Sequence, residues 1–183
     1  MQASSEGYIL RTRPYTEASV IVDLFTKEIG RMTCITRPAK LRGKVQKGHL
    51  QSFRLLQLHW RGRSELSRLT QTDERFRHRI PAGNLLYGLY LNELLLKLIQ
   101  PHLALHSLFT TYQHTLQLLC DSEVPMVVVM RFELALLNDL GHMPDLWCED
   151  ERGESIAPNI AYVYGINTGL QQLTNNEKNP ASV

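Results

Sequence analysis

A change of hydrophobic period at Pro81 constrains this chain more than any other feature. Before it, apolar residues recur at alternate positions, the repeat of a pleated strand. After it they recur every three to four positions, the repeat of a helix. A run of strands followed by a run of helices predicts an α+β chain. Five stretches read as strands: Gly7–Tyr15, Ser19–Thr26, Met32–Arg37, Leu50–Trp60 and Glu65–Thr72. In the second, Val20, Val22 and Leu24 lie on one face and Ile21 and Phe25 on the other. A strand apolar on both faces belongs in a barrel wall or under a neighbouring element. Glu28-Ile29-Gly30-Arg31 and Arg61-Gly62-Arg63 supply turns, with glycine free to take a positive φ. Five strands joined by short turns predict a small Greek-key barrel, a five-stranded OB-fold β-barrel, followed by an α-helical domain.

In the second part, Asn84 is placed to cap a helix through Leu85–Gln100, ended by Pro101. That helix is apolar almost all round, which predicts a buried central helix of a bundle. A second helix spans Leu103–Cys120, with Leu105, Leu108, Phe109, Tyr112, Leu116 and Leu119 on one stripe. Pro125 opens a third, which carries Phe132, Leu136, Leu137 and Leu140 and has Gly141 at its C′ position. Ile160–Tyr164 reads as one short strand, and the polar end Thr174–Val183 as disordered. The expected domains are residues 1–78 (barrel), 79–145 (helical bundle), and 146–183 (acidic irregular segment and polar tail).

Charge divides along the same line. The net charge is +2, yet residues 1–80 hold sixteen Lys and Arg against seven Asp and Glu, a balance of +9. Residues 81–183 hold four against eleven, a balance of −7. The basic part suits a polyanion. No apolar run is long enough to cross a bilayer and no signal-peptide pattern opens the chain, so the cytoplasm is the expected location and no membrane partner is expected. Cys34, Cys120 and Cys148 are scattered and no CxxC occurs, so no metal site is predicted.

The densest cation run is Arg37-Pro-Ala-Lys40-Leu-Arg42-Gly-Lys44-Val-Gln-Lys47, five cations in eleven residues with no acid. It lies between two strands, where a loop could neutralise several phosphates and release their counterions. Arg54, Arg61, Arg63 and Arg68 follow, with Phe53 and Trp60 among them. OB-folds pair a basic groove with aromatics on which bases stack. Phe53 and Trp60 therefore have two readings, stacking platform or barrel core; the site assignment takes Trp60 with the cations. GxxxxGK[ST], GxGxxG and GxSxG are all absent, and no catalytic residue or cofactor is predicted. His102, His106 and His114 read as helix-surface histidines, and Glu149-Asp150-Glu151 with Glu154 as a solvated loop. Arg131 stands in the apolar stretch Val127–Leu137. It either pairs with Glu93 or Glu133, or docks a hydrophobic tail ending in a carboxylate, with Tyr112, Phe132 and Leu136 as walls.

Several motifs then occur in a telling order: Glu17-Ala-Ser19, Leu24-Phe-Thr26, Gly30-Arg31, Leu50-Gln-Ser-Phe53, Leu89-Tyr-Leu-Asn-Glu-Leu-Leu95, and Arg131-Phe-Glu-Leu-Ala-Leu-Leu137 with Leu140-Gly141. They resemble the E-x-S, LFT, GR, LQPF, LY-x-NELL and RFE-x-x-LL-x-x-LG signatures of the RecO family. The resemblance implies a non-enzymatic recombination mediator that binds single- and double-stranded DNA and anneals complementary strands. It implies partnership with RecR and with the C-terminal tail of single-stranded DNA-binding protein, and indirectly with RecA, which it helps to load in DNA repair. Arg37-Pro-Ala-Lys40 stands where the family often reads KGAR. Some members carry a four-cysteine zinc site that this chain lacks, and most run some tens of residues further in basic helices, so this chain reads as a short form. Two other readings stand beside the mediator: a shortened protein-interaction adaptor with weak DNA binding, and an RNA-binding OB-fold protein.

Overall fold

The computed structural model describes residues 2–37, 40–41, 44–45, 50–62, 66–143, 155–165 and 168–173. Five strands close a barrel: β1 (Gln2–Thr16), β2 (Ser19–Thr26), β3 (Gly30–Thr36), β6 (Arg54–Arg61) and β7 (Leu66–Arg77). A two-stranded hairpin, β4 (Lys40–Leu41) and β5 (Lys44–Val45), lies in the connection between β3 and β6. The order around the barrel is β1-β2-β3-β7-β6. Every neighbouring pair is antiparallel except β3 and β7, which run parallel through Thr33–Leu66, Cys34–Ser67 and Ile35–Arg68. This is the expected OB-fold barrel. Alternate side chains fill it: Ile9, Val22, Leu24, Met32, Cys34, Leu56, Leu58, Trp60 and Leu69.

The outward residues of β1 and β2 explain why the second strand is apolar on both faces. Tyr8 and Phe25 leave the barrel to meet Phe109 and Tyr112, with ring centroids 5.1 Å apart for Tyr8–Tyr112 and 5.5 Å for Phe25–Phe109. These partners belong to α2 (His106–Asp121), one of three helices with α1 (Leu85–Leu98) and α3 (Pro125–Asp139). Barrel and helices together form one compact unit, Met1–Asp139.

Three helical expectations change. Asn84 precedes α1, but its side chain makes no capping bond. Its Nδ2 donates to the carbonyls of Leu119 and Ser122, each at 3.0 Å, and so ties the start of α1 to the end of α2. α1 is not buried all round: Gly88, Leu91, Asn92 and Leu95 are buried, whereas Leu86 is 75% exposed. The barrel supplies the cover on one side, and Gly88 allows the approach, since a Cβ there would lie 3.0 Å from the Phe53 ring. α2 begins at His106 rather than Leu103 because the connection is held to β3 instead. The His102 amide donates to the Arg31 carbonyl at 2.8 Å, and Arg31 Nε donates to the Ile99 carbonyl at 2.7 Å.

Residues Leu140–Val183 form a second unit. Its described part contains an antiparallel hairpin, β8 (Tyr162–Gly165) and β9 (Gly169–Gln172), where the sequence predicts a single strand. The acidic run 148–154 and the tail 174–183 lie outside the described residues. No helix among the described residues is long and apolar enough to cross a membrane.

Candidate nucleic-acid interface

Three of the arginines singled out from sequence converge. Arg37 directly follows β3, Arg61 ends β6 and Arg68 lies in β7. The sheet register sets Arg68 beside Ile35 on one side and opposite Arg61 on the other. Leu69 points into the barrel, so its neighbours Arg68 and Thr70 point out. The result is an open groove of about 450 Å³ lined by Thr36, Arg37, Arg61, Arg68, Leu69 and Thr70. Among the described residues none of the three cations has an acidic partner. Like charges opposite one another in a sheet are destabilising, and a polyanion in the groove reverses the sign of that interaction. The groove adjoins the β6–β7 connection, a loop position through which OB-folds bind oligonucleotides.

Lys40 and Lys44 are placed by their backbone in the β4–β5 hairpin, just past Arg37. Their side chains, together with Arg42, Lys47 and Arg63, lie outside the described residues.

Two residues expected to touch nucleic acid are corrected. Trp60 is only 3% exposed, within the barrel core, and presents no face to a base. Arg54 is buried, donates to Glu74 at 2.6 Å, and also bonds the Gln51 side chain. Glu74 is shared with Arg77, whose hydrogen bond, ahead of those from Arg54, holds the carboxyl below its ordinary range. Arg54 is thus a structural cation, not one that faces solvent.

Other residues escaped the sequence reading. Arg11 and Arg13 project from β1 onto buried Asp23, at 2.9 and 3.4 Å, and Thr33 donates to the same carboxylate at 3.0 Å. The run Arg75-Phe76-Arg77-His78-Arg79 alternates cation and ring, a period-2 signal visible in the sequence. His78 is buried, shares a hydrogen bond with the Tyr8 hydroxyl at 3.0 Å, and has its pKa lowered to about 4 by burial.

On the helices, Tyr112, Phe132 and Leu136 are corrected from docking walls to core, all buried. The polar residues of the two helical motifs are mostly used internally. Asn92 donates to the Leu10 carbonyl at 3.0 Å and accepts from the Tyr112 hydroxyl at 2.5 Å, so it joins α1 to β1 and α2. Glu133 accepts from the Tyr90 hydroxyl at 2.6 Å, and Glu93 pairs with Lys97 at 2.7 Å. Both expected partners of Arg131 are therefore engaged elsewhere. Arg131 is exposed, without an ion pair among the described residues, and its neighbours Val127, Met130 and Leu134 on α3 are exposed too.

His102 precedes α2 and does not share a helix face with His106. Among the described residues no three His, Cys, Asp or Glu come together as metal ligands. Burial pushes the Cys34 thiol up to about 12, which keeps it protonated. Cys148 lies outside the described residues.

Comparison with known proteins identifies the family. A family model described as Recombination protein O N terminal matches residues 1–74, and one described as Recombination protein O C terminal matches residues 82–183. The chain is 36% identical over 165 residues to the DNA repair protein RecO of Vibrio atlanticus, covering 87% of this chain and 68% of that one. It is 35% identical over 166 residues to the DNA repair protein RecO of Proteus mirabilis, covering 90% and 68%. Against the protein of the same name from Yersinia pestis the identity is 34%, covering 90% and 69%. With both family models in sequence order and a third of its residues shared with these relatives, the chain belongs to the RecO family of DNA repair proteins.

Proposed function

We propose that this chain is a DNA-binding recombination mediator that works by binding alone, without a catalytic step. It holds single- and double-stranded DNA on the barrel, promotes annealing of complementary strands, and helps replace single-stranded DNA-binding protein with RecA, acting with RecR. The observation that carries this reading is the convergence of Arg37, Arg61 and Arg68 on one groove with no acidic partner among the described residues. The β4–β5 hairpin, which carries Lys40 and Lys44, follows Arg37 in the chain. Such a surface engages phosphates whatever the sequence, which suits a protein that must accept any strand. The second part of the reading is docking of the C-terminal tail of single-stranded DNA-binding protein at Arg131, whose guanidinium is exposed beside apolar Val127, Met130 and Leu134.

The test is the salt dependence of oligonucleotide binding. Substituting Arg37, Arg61 and Arg68 together with Ala weakens binding for all sequences. It also flattens the slope of log K against log salt by roughly 0.7 to 0.9 for each phosphate that is no longer neutralised. Strand annealing falls in parallel. An unchanged slope removes the DNA from this groove. Tighter binding of RNA than of the matching DNA oligonucleotide supports the RNA reading instead.

A further inference from the structure

A second groove, of about 480 Å³, lies between the end of β7 and α2 and is lined by Phe76, His78, Thr110, Gln113, His114 and Gln117. We infer that it receives one unstacked nucleobase of a single-stranded oligonucleotide, laid against the ring of Phe76 and read by the amides of Gln113 and Gln117. This inference rests on the reading of the chain as a DNA-binding protein, and adds to it a site outside the arginine groove.

Phe76 is 48% exposed, in the same strand from which Leu69 fills the barrel core. Its orientation is fixed from one side. The His78 ring meets it at 74° with centroids 4.9 Å apart. His78 is itself 5% exposed, bonded to the Tyr8 hydroxyl, and its amide donates to the Phe53 carbonyl at 2.9 Å. A large apolar ring held rigidly and half in water is a stacking platform, and stacking tolerates any base.

Gln113 and Gln117 lie one turn apart on α2, and neither side chain has a partner among the described residues. A glutamine amide offers a donor and an acceptor side by side, the pattern that pairs with the edge of a base. The Thr110 hydroxyl donates to the His106 carbonyl at 3.1 Å, which leaves its own oxygen free to accept. His78 Nδ1 is, among the described residues, a buried side-chain atom without a hydrogen-bond partner, so a residue lining the groove keeps a polar atom unused. Arg75 and Arg79 flank the ring pair in sequence, are exposed, and have no acidic partner among the described residues. They suit the phosphates on either side of a single splayed nucleotide. A base withdrawn from its stack is also one that cannot remain paired, which places this groove on the single-stranded side of an annealing reaction.

The test uses the full chain with short single-stranded DNA. One probe carries 2-aminopurine, whose fluorescence rises when the base leaves the stack of its neighbours; another carries 5-iodouracil, which crosslinks to an adjacent aromatic on illumination. The expected result is a crosslink to Phe76, with a rise in 2-aminopurine fluorescence on binding. Phe76→Leu keeps an apolar side chain but removes the ring; it abolishes that rise and weakens binding about fivefold or more. Gln113→Ala with Gln117→Ala, on the helix surface, reduces affinity without loss of thermal stability, and decides the matter if Phe76→Leu unfolds. Crosslinks confined to residues 37–68, or unchanged affinity and fluorescence in both variants, overturn the inference while leaving the arginine groove intact. A crosslink to Phe76 that persists at full affinity when Arg37, Arg61 and Arg68 are neutralised overturns the arginine groove and keeps this one. No binding of DNA at all overturns both.

Discussion

His78 is a single residue on which two properties meet. Burial lowers its pKa from 6.5 to about 4, so the folded chain holds the ring neutral where the unfolded chain would protonate it. Between those two values the unfolded chain binds more protons, and stability falls as the pH falls. The contribution is fully present above the unfolded value and is lost progressively toward about pH 4. At pH 5 the loss is about 2 kcal/mol. Urea unfolding at pH 7 and pH 5 measures it: the native chain loses that amount, and His78→Gln, which has no proton to take up, does not. An equal loss in both means that other groups set the pH dependence. The same residue shows a limit of sequence reading. A histidine between two arginines looks solvated, and only the approach of Tyr8, seventy positions away in sequence, makes it part of the interior.

Several motif residues work as joints between elements. Gly30 has φ +78, and a Cβ on it would lie 1.8 Å from the Leu103 carbonyl oxygen. Gly141 also has a positive φ, +74, but among the described residues nothing lies within 4 Å of its Cβ position. Gly141→Ala therefore incurs only the backbone term, about 1 kcal/mol, whereas Gly30→Ala adds a clash with main chain and costs more than about 2 kcal/mol. Thermal unfolding of the two variants separates the terms; equal melting temperatures would mean that the α1–α2 connection moves freely off β3. The strands themselves were legible because the barrel imposes a strict alternation. Trp60 is in phase with Leu56 and Leu58, so its inward direction was readable, and the surrounding cations obscured it. The register that sets Arg61 against Arg68 was not readable, because it depends on bulges in the β6–β7 pairing. α1 looked buried all round because sequence reports apolarity without showing how many neighbours are at hand to cover it.

At the scale of the molecule, charge divides between a basic first part and an acidic second part, and the proposal that the two engage different partners is testable. Arg131 lies on α3, outside the arginine groove, so Arg131→Ala should cost about 1.5 to 3 kcal/mol in binding a labelled acidic-hydrophobic tail peptide, with oligonucleotide affinity preserved. Retention of full peptide affinity would make the exposed guanidinium incidental. The closure of the barrel carries a further consequence. Arg37 follows β3 and Arg68 lies in β7, strands that meet only along a parallel seam of three residue pairs, and the chain between them must loop out before that seam can form. Pairings so distant along the chain form late, since loop closure must precede any gain from them. The arginine groove therefore exists only once that seam has formed, and repulsion among its cations opposes the seam. An oligonucleotide held in that groove, as proposed, would bridge both sides of the seam and act as a clasp on the barrel as well as a cargo.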